Sequence, residues 1–162
     1  MRRSIDVLIG LSFLTVLYAG TFALAADFEA TKRPPDMVVY KHPLCFCCKK
    51  WIRYLEEKGL DVQPISRMDM RGIKGHWHLP PGMTSCHTAV WRQQYVFEGH
   101  VPARYIRRFL LDPPPGALGL AVPGMPVGSP GMYDGKTFEP YTIYLLLRDG
   151  DYRYYTRVEA PE

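Results

Sequence analysis

Three of the chain's four cysteines fall within four residues, Cys45-Phe46-Cys47-Cys48, and the fourth is Cys86. Thiolates ligate soft metals and attack disulfides, so this density of sulfur admits three chemistries. An even cysteine count in a secreted chain first suggests structural bridges. That reading strains here. A Cys47–Cys48 bridge would join neighbours, and Cys45–Cys47 would close too small a ring. Only Cys47–Cys86, with Cys45–Cys48 bridged or left as thiols, is relaxed. A second reading is a thiol–disulfide oxidoreductase with Cys45 as nucleophile and Cys48 as resolving thiol, the C-x-x-C spacing. Cys47 and Cys86 then stand beside a redox pair and invite wrong bridges.

The third chemistry is soft-metal binding. A single structural zinc generally takes two separated ligand pairs, so that a tetrahedron closes without strain. Three cysteines in four residues suit bridging between several Cu(I) ions better, since Cu(I) favours thiolate and thioether. Met125 and Met132, in a repeated Pro-Gly-Met at 123–125 and 130–132, are candidate auxiliary thioethers, with packing under the loop as the alternative. His87, next to Cys86, is a candidate ligand or gate, and His100 is a weaker one. His76 and His78 flank Trp77 at a chelating spacing but sit in a Gly/Pro-rich stretch that reads as surface.

The elements that must carry these residues follow from the pattern. Met37-Val38-Val39-Tyr40 is a strand, and Cys48, Trp51, Ile52 and Leu55 form one face of a helix that Gly59 stops. The cysteines therefore occupy a strand-to-helix turn, where the helix macrodipole, together with Lys41, Lys49 and Lys50, favours thiolate. Leu60 to Ile65 is a second strand, and a parallel βαβ unit is the default. Arg67 to Trp77 holds at most a short helix, weakened by Gly72 and Gly75. Ser85 to Trp91 runs from loop into strand, and Tyr95 to Gly99 returns. Pro102 then opens a helix with Ile106, Phe109 and Leu110 inward.

Residues 113–132 carry six prolines and five glycines yet are apolar and uncharged, which predicts an ordered loop laid against the domain. Tyr141 to Leu147 and Tyr152 to Val158 flank Asp149-Gly150, the strongest hairpin signal in the chain. The order predicts an α/β fold with a thioredoxin-like sheet, flanking helices and a C-terminal β-hairpin, and the loop bearing Cys86 converging on the thiol turn.

The start of the chain reads as a targeting segment. Met1-Arg2-Arg3, an apolar region from Val7 to about Leu17, and Ala23-Leu24-Ala25 predict a signal peptide over 1–25, a linker over 26–36 and a single domain over 37–158. Secretion places the thiols in a compartment where disulfides form. Without the signal the chain has 18 basic and 15 acidic residues, a balance too mild to argue for nucleic acid. No membrane association is expected after cleavage.

Four segments together resemble the CopG-type periplasmic copper-resistance proteins: Cys45-Phe46-Cys47-Cys48-Lys49-Lys50-Trp51, Ser85-Cys86-His87-Thr88-Ala89, Glu98-Gly99-His100-Val101-Pro102 and Gly119-Leu120-Ala121-Val122-Pro123-Gly124-Met125-Pro126. The resemblance runs from about Met37 to Leu147, and Met70 to Leu79 departs from it. It implies a thioredoxin-like fold, periplasmic location, copper held by Cys45, Cys47, Cys48 and Cys86 as a thiolate cluster, and a role in Cu(I)/Cu(II) interconversion. Copper ions and other periplasmic copper-resistance proteins are the partners it implies.

Overall fold

The computed structural model describes residues 34–162. The expected signal peptide and all but the end of the linker lie outside the described residues. Strand β1 (Met37–Lys41) leads through the cysteine turn into helix α1 (Phe46–Glu57), which buries Cys48, Trp51, Ile52 and Leu55. Strand β2 (Val62–Ser66) then pairs parallel with β1. Helix α2 (Met70–His76) begins at Asp69, whose carboxylate accepts from the backbone N–H groups of Arg71 and Gly72. That cap satisfies two of the donors a helix start leaves open, and so offsets the two glycines inside. A 3-10 turn (Pro81–Met83) leads to β3 (His87–Trp91) and β4 (Tyr95–Glu98), followed by α3 (Ala103–Leu111).

Among the described residues the strands form one sheet in the order β2-β1-β3-β4-β5-β6-β7. Strand β3 runs antiparallel to β1 and β4. Within the expected loop over 113–132 lies a strand, β5 (Ala117–Ala121), paired parallel to β4 and buried at every position. The loop expectation holds only for the remainder. Glycine and proline density hides the strand, and Gly119 shows why glycine is there: a Cβ on it would collide with the Val96 carbonyl oxygen. The hairpin of β6 (Tyr141–Leu147) and β7 (Tyr152–Val158) extends this same sheet through β5.

Alternation along the strands, interrupted in β5 by a register shift between Ala117 and Gly119, sends side chains to two faces. On one face Met37, Val39, Phe97 and Leu120 meet Trp51 and Leu55 of α1 and Ile106 and Phe109 of α3. On the other, Val96, Leu118 and Leu146 meet Leu79 and Met83, which follow α2. Strand β1 lies between β2 and β3 and buries Met37 and Val39 against α1, and the cysteine turn follows its C-terminal end. No helix among the described residues is long and apolar enough to cross a membrane.

Candidate metal centre

Cys45 is the N-cap of α1, and its sulfur accepts from the Cys48 backbone N–H at 3.3 Å. The cap leaves Cys45 outside the first turn and swings Cys48 inward beneath it. Cys45 and Cys48 are joined as a disulfide, with Cα atoms 5.4 Å apart, while Cys47 and Cys86 are unbridged. Cys47 Sγ is the hub of the group. It lies 3.4 Å from Cys45 Sγ, 3.8 Å from Cys86 Sγ and 3.9 Å from Met125 Sδ. Cys86 Sγ is also 3.5 Å from Cys48 Sγ. Two sulfurs that share one tetrahedral ion at about 2.3 Å stand about 3.8 Å apart. The spacing of the free sulfurs already suits ions placed between them.

A second group shares Cys86. His87 Nδ1 lies 3.4 Å and His100 Nε2 4.0 Å from its sulfur, and the three residues offer donor atoms close enough to meet at one ion. Both imidazoles are fully buried. His87 stacks on Trp51 with ring centroids 4.3 Å apart and meets His100 edge-on at 5.0 Å. Burial pushes the His87 pKa well down, helped by His100 and Lys74, and burial lowers His100 to about 4. Both rings are therefore neutral at neutral pH, the form that ligates metal.

Burial, then the neighbouring Cys47, pushes the Cys86 thiol up to about 12. A metal ion must displace its proton on binding.

The loop carrying Cys86 is tied down by Glu98, which is fully buried at the end of β4. Its carboxylate accepts from the Lys74 ammonium, from Thr88 Oγ1 at 2.7 Å and from the Ser85 backbone N–H at 2.6 Å. Burial raises the Glu98 pKa, and Lys74 with the three hydrogen bonds opposes that shift. Ser85 Oγ in turn donates to the Gly124 carbonyl, one residue from Met125. The loop from Pro123 to Met132 closes over the turn at Gly131, where φ is +86° and a Cβ would lie 2.8 Å from the Trp51 nitrogen and 3.0 Å from the Cys47 carbonyl oxygen. Only glycine allows that approach.

The structure thus brings together Cys45, Cys47, Cys48, Cys86, Met125 and His87. Met132 is not among the sulfurs in contact there, and a turn sets its position, its N–H donating to the Ser129 carbonyl at 2.8 Å. His76 and His78 line a separate cavity of about 230 Å³ with Trp77, Leu118 and Arg148. His100, ranked below His87 from sequence, reaches the same sulfur, and sequence reasoning passes over Glu98, Lys74 and Ser85. A lone acid closing the apolar run Tyr95-Val96-Phe97-Glu98 is the available signal.

A mixed α/β domain here gathers four cysteine sulfurs, a thioether and two neutral imidazoles at one sheet end, a donor set that could hold a soft metal. A family model described as "Protein of unknown function, DUF411" matches residues 83–132. The chain is also similar to two solved structures of a copper resistance protein, copG, in Form 2 and Form 1. Identity is 37% in both cases, covering 78% and 79% of this chain and 99% of each of those chains, with TM-scores of 0.72 and 0.71. No curated protein matches. The chain belongs to the CopG copper resistance protein family.

Proposed function

We propose that this is a periplasmic copper-homeostasis protein that holds Cu(I) in a multinuclear thiolate site built from Cys45, Cys47, Cys48 and Cys86. Met125 and His87 serve as auxiliary ligands, and Met132 enters the ligand set only on the strength of its repeated motif. The observation that carries the reading is the hub position of Cys47, within 3.4–3.9 Å of three other sulfurs. A structural disulfide scaffold has no use for such a hub, whereas bridging between Cu(I) ions requires one. The relatives' description as copper resistance proteins supports the choice of copper. The strand order β2-β1-β3-β4 with β3 antiparallel supports a thioredoxin-like core for the site.

The Cys45–Cys48 bridge supplies a route for Cu(I)/Cu(II) interconversion. Two equivalents of a thiol reductant supply two electrons and two protons, open the bridge and leave as their own disulfide, which frees both thiols for Cu(I). Conversely, oxidation of the two thiols to the bridge releases two electrons and two protons, and the electrons convert two Cu(II) to two Cu(I). The same bridge, at a helix N-terminus with C-x-x-C spacing, also favours a second reading as a thiol–disulfide oxidoreductase.

Copper analysis of the reduced protein under anaerobic conditions separates the two. The copper reading expects more than one copper per chain, with Cys47→Ser losing about as much copper as Cys45→Ser, since a hydroxyl is a poor partner for Cu(I). The oxidoreductase reading expects Cys47→Ser to be silent and Cys45→Ser to abolish thiol exchange. Full copper retention in Cys47→Ser would overturn the cluster.

A further inference from the structure

We propose that the sheet end around the thiol turn is a docking face for an acidic-rimmed protein that exchanges Cu(I) with the cysteines. The inference rests on the copper reading above and adds the partner. Because β1 and β2 are parallel, their C-terminal ends lie side by side: Lys41 pairs with Ser66, and the Arg67 N–H donates to the Lys41 carbonyl at 2.9 Å. The cysteine turn leaves one of these ends and the Arg67–Met70 segment leaves the other.

Four large apolar side chains on these segments and the adjoining loop stay in solvent. Leu44, Phe46, Met68 and Met125 are between 53% and 76% exposed. Leu44 and Phe46 flank Cys45 in the chain and Met125 touches Cys47, so three of the four border the half-buried thiols, while Met68 follows Arg67 at the neighbouring strand end. Folding buries side chains of this kind wherever it can, and an exposed group of them marks a contact surface. Two of the four are thioethers, so copper can pass between the surface and the thiols along sulfur ligands.

Charge names the occupant. Lys49, Lys50, Arg67 and Arg71 are exposed on the same segments. Asp69 is the one acid there, and its carboxylate is engaged in capping α2. Lys49 Nζ lies 5.3 Å from the centre of the Phe46 ring, so the basic rim meets the apolar centre directly. Such a surface attracts a partner with an apolar centre and an acidic rim and speeds its approach. An anionic lipid surface would match the same charges. It would cover the thiols without offering copper a ligand, and for that reason a protein is the favoured occupant.

The test uses two synthetic peptides that carry the same methionine-based Cu(I) site, one flanked by glutamates and one by lysines. Transfer of Cu(I) to the reduced protein is followed by stopped flow in the thiolate–Cu(I) ultraviolet band. At low salt the acidic peptide should deliver copper on the order of tenfold faster, and this advantage should collapse at high salt. Lys49→Glu with Lys50→Glu should remove it, read as the ratio of the two peptides' rates so that any change in the thiols themselves cancels. Arg108→Glu with Arg153→Glu makes the same net-charge change on α3 and the far edge strand β7, and should leave most of the advantage intact. Phe46→Ser should slow delivery from both peptides. Equal rates for the two peptides, or equal effects of the two charge-reversal pairs, would overturn the docking face. Binding of phosphatidylglycerol vesicles that Lys49→Glu with Lys50→Glu abolishes would assign the surface to a membrane and overturn it as well. No copper uptake from either peptide or from free Cu(I) would instead defeat the copper reading itself.

Discussion

Replacing Lys74 by methionine removes an ammonium and keeps most of its stem, leaving the Glu98 carboxylate in place without its cation. The Glu98 side chain is 0% exposed and that of Lys74 15%, so water can do little to compensate. Removing one partner of a buried ion pair costs about 3–5 kcal/mol. Thr88 and the Ser85 N–H still donate to the carboxylate, which argues for the lower end, about 3 kcal/mol or on the order of 10 °C in Tm. The assay is urea unfolding of the reduced, copper-free protein at neutral pH. Lys74→Met combined with Glu98→Gln should recover most of the loss, because the uncompensated charge is gone. The pH dependence has a definite sign. Burial raises the folded Glu98 pKa above its unfolded value, so its favourable contribution is present at low pH and is lost as pH rises through the raised value. Without Lys74 that loss deepens. The variant's deficit should therefore be largest at neutral pH and shrink on acidification toward the ordinary carboxylate range. A loss below about 1 kcal/mol at neutral pH, or a deficit that grows in acid, would refute the reasoning.

Three further outcomes are expected. His100, lowered from 6.5 to about 4, binds protons more readily unfolded than folded, so copper-free protein should lose about 3 kcal/mol as pH falls through that window. His100→Asn should flatten this slope in urea unfolding measured at several pH values, leaving the part due to His87, which burial also pushes down. Met125→Leu keeps apolar bulk and deletes the thioether 3.9 Å from Cys47, so Cu(I) affinity against a competing chelator should fall on the order of tenfold, with thermal stability unchanged. Gly131→Ala meets both a positive φ and the backbone of α1, so a thermal melt should show a cost of about 1–3 kcal/mol.

The chemistry of the site is largely legible in the order of residues, because it is local. Cys45, Cys47 and Cys48 share one turn whatever the rest of the chain does. The buried face of α1 can be read from its period as Cys48, Trp51, Ile52 and Leu55, all of which are inside. The hairpin of β6 and β7 is also visible, since Asp149-Gly150 makes its turn from adjacent residues. What the sequence cannot decide is what arrives from a distance. Strand β5 is concealed because propensity counts glycine and proline against a strand, while its actual stability comes from neighbours on both sides, including a close approach at Gly119. Glu98 looks like any strand-end acid until the fold brings Lys74 to it from α2 and Ser85 and Thr88 from around the start of β3. Adjacency to Cys86 ranks His87 above His100, but both rings reach that sulfur because β3 and β4 pair antiparallel and carry their ends to the same place. Residue type declares which ligands a chain owns. Only sheet pairing, summed over contacts far apart in the chain, decides which of them share a site.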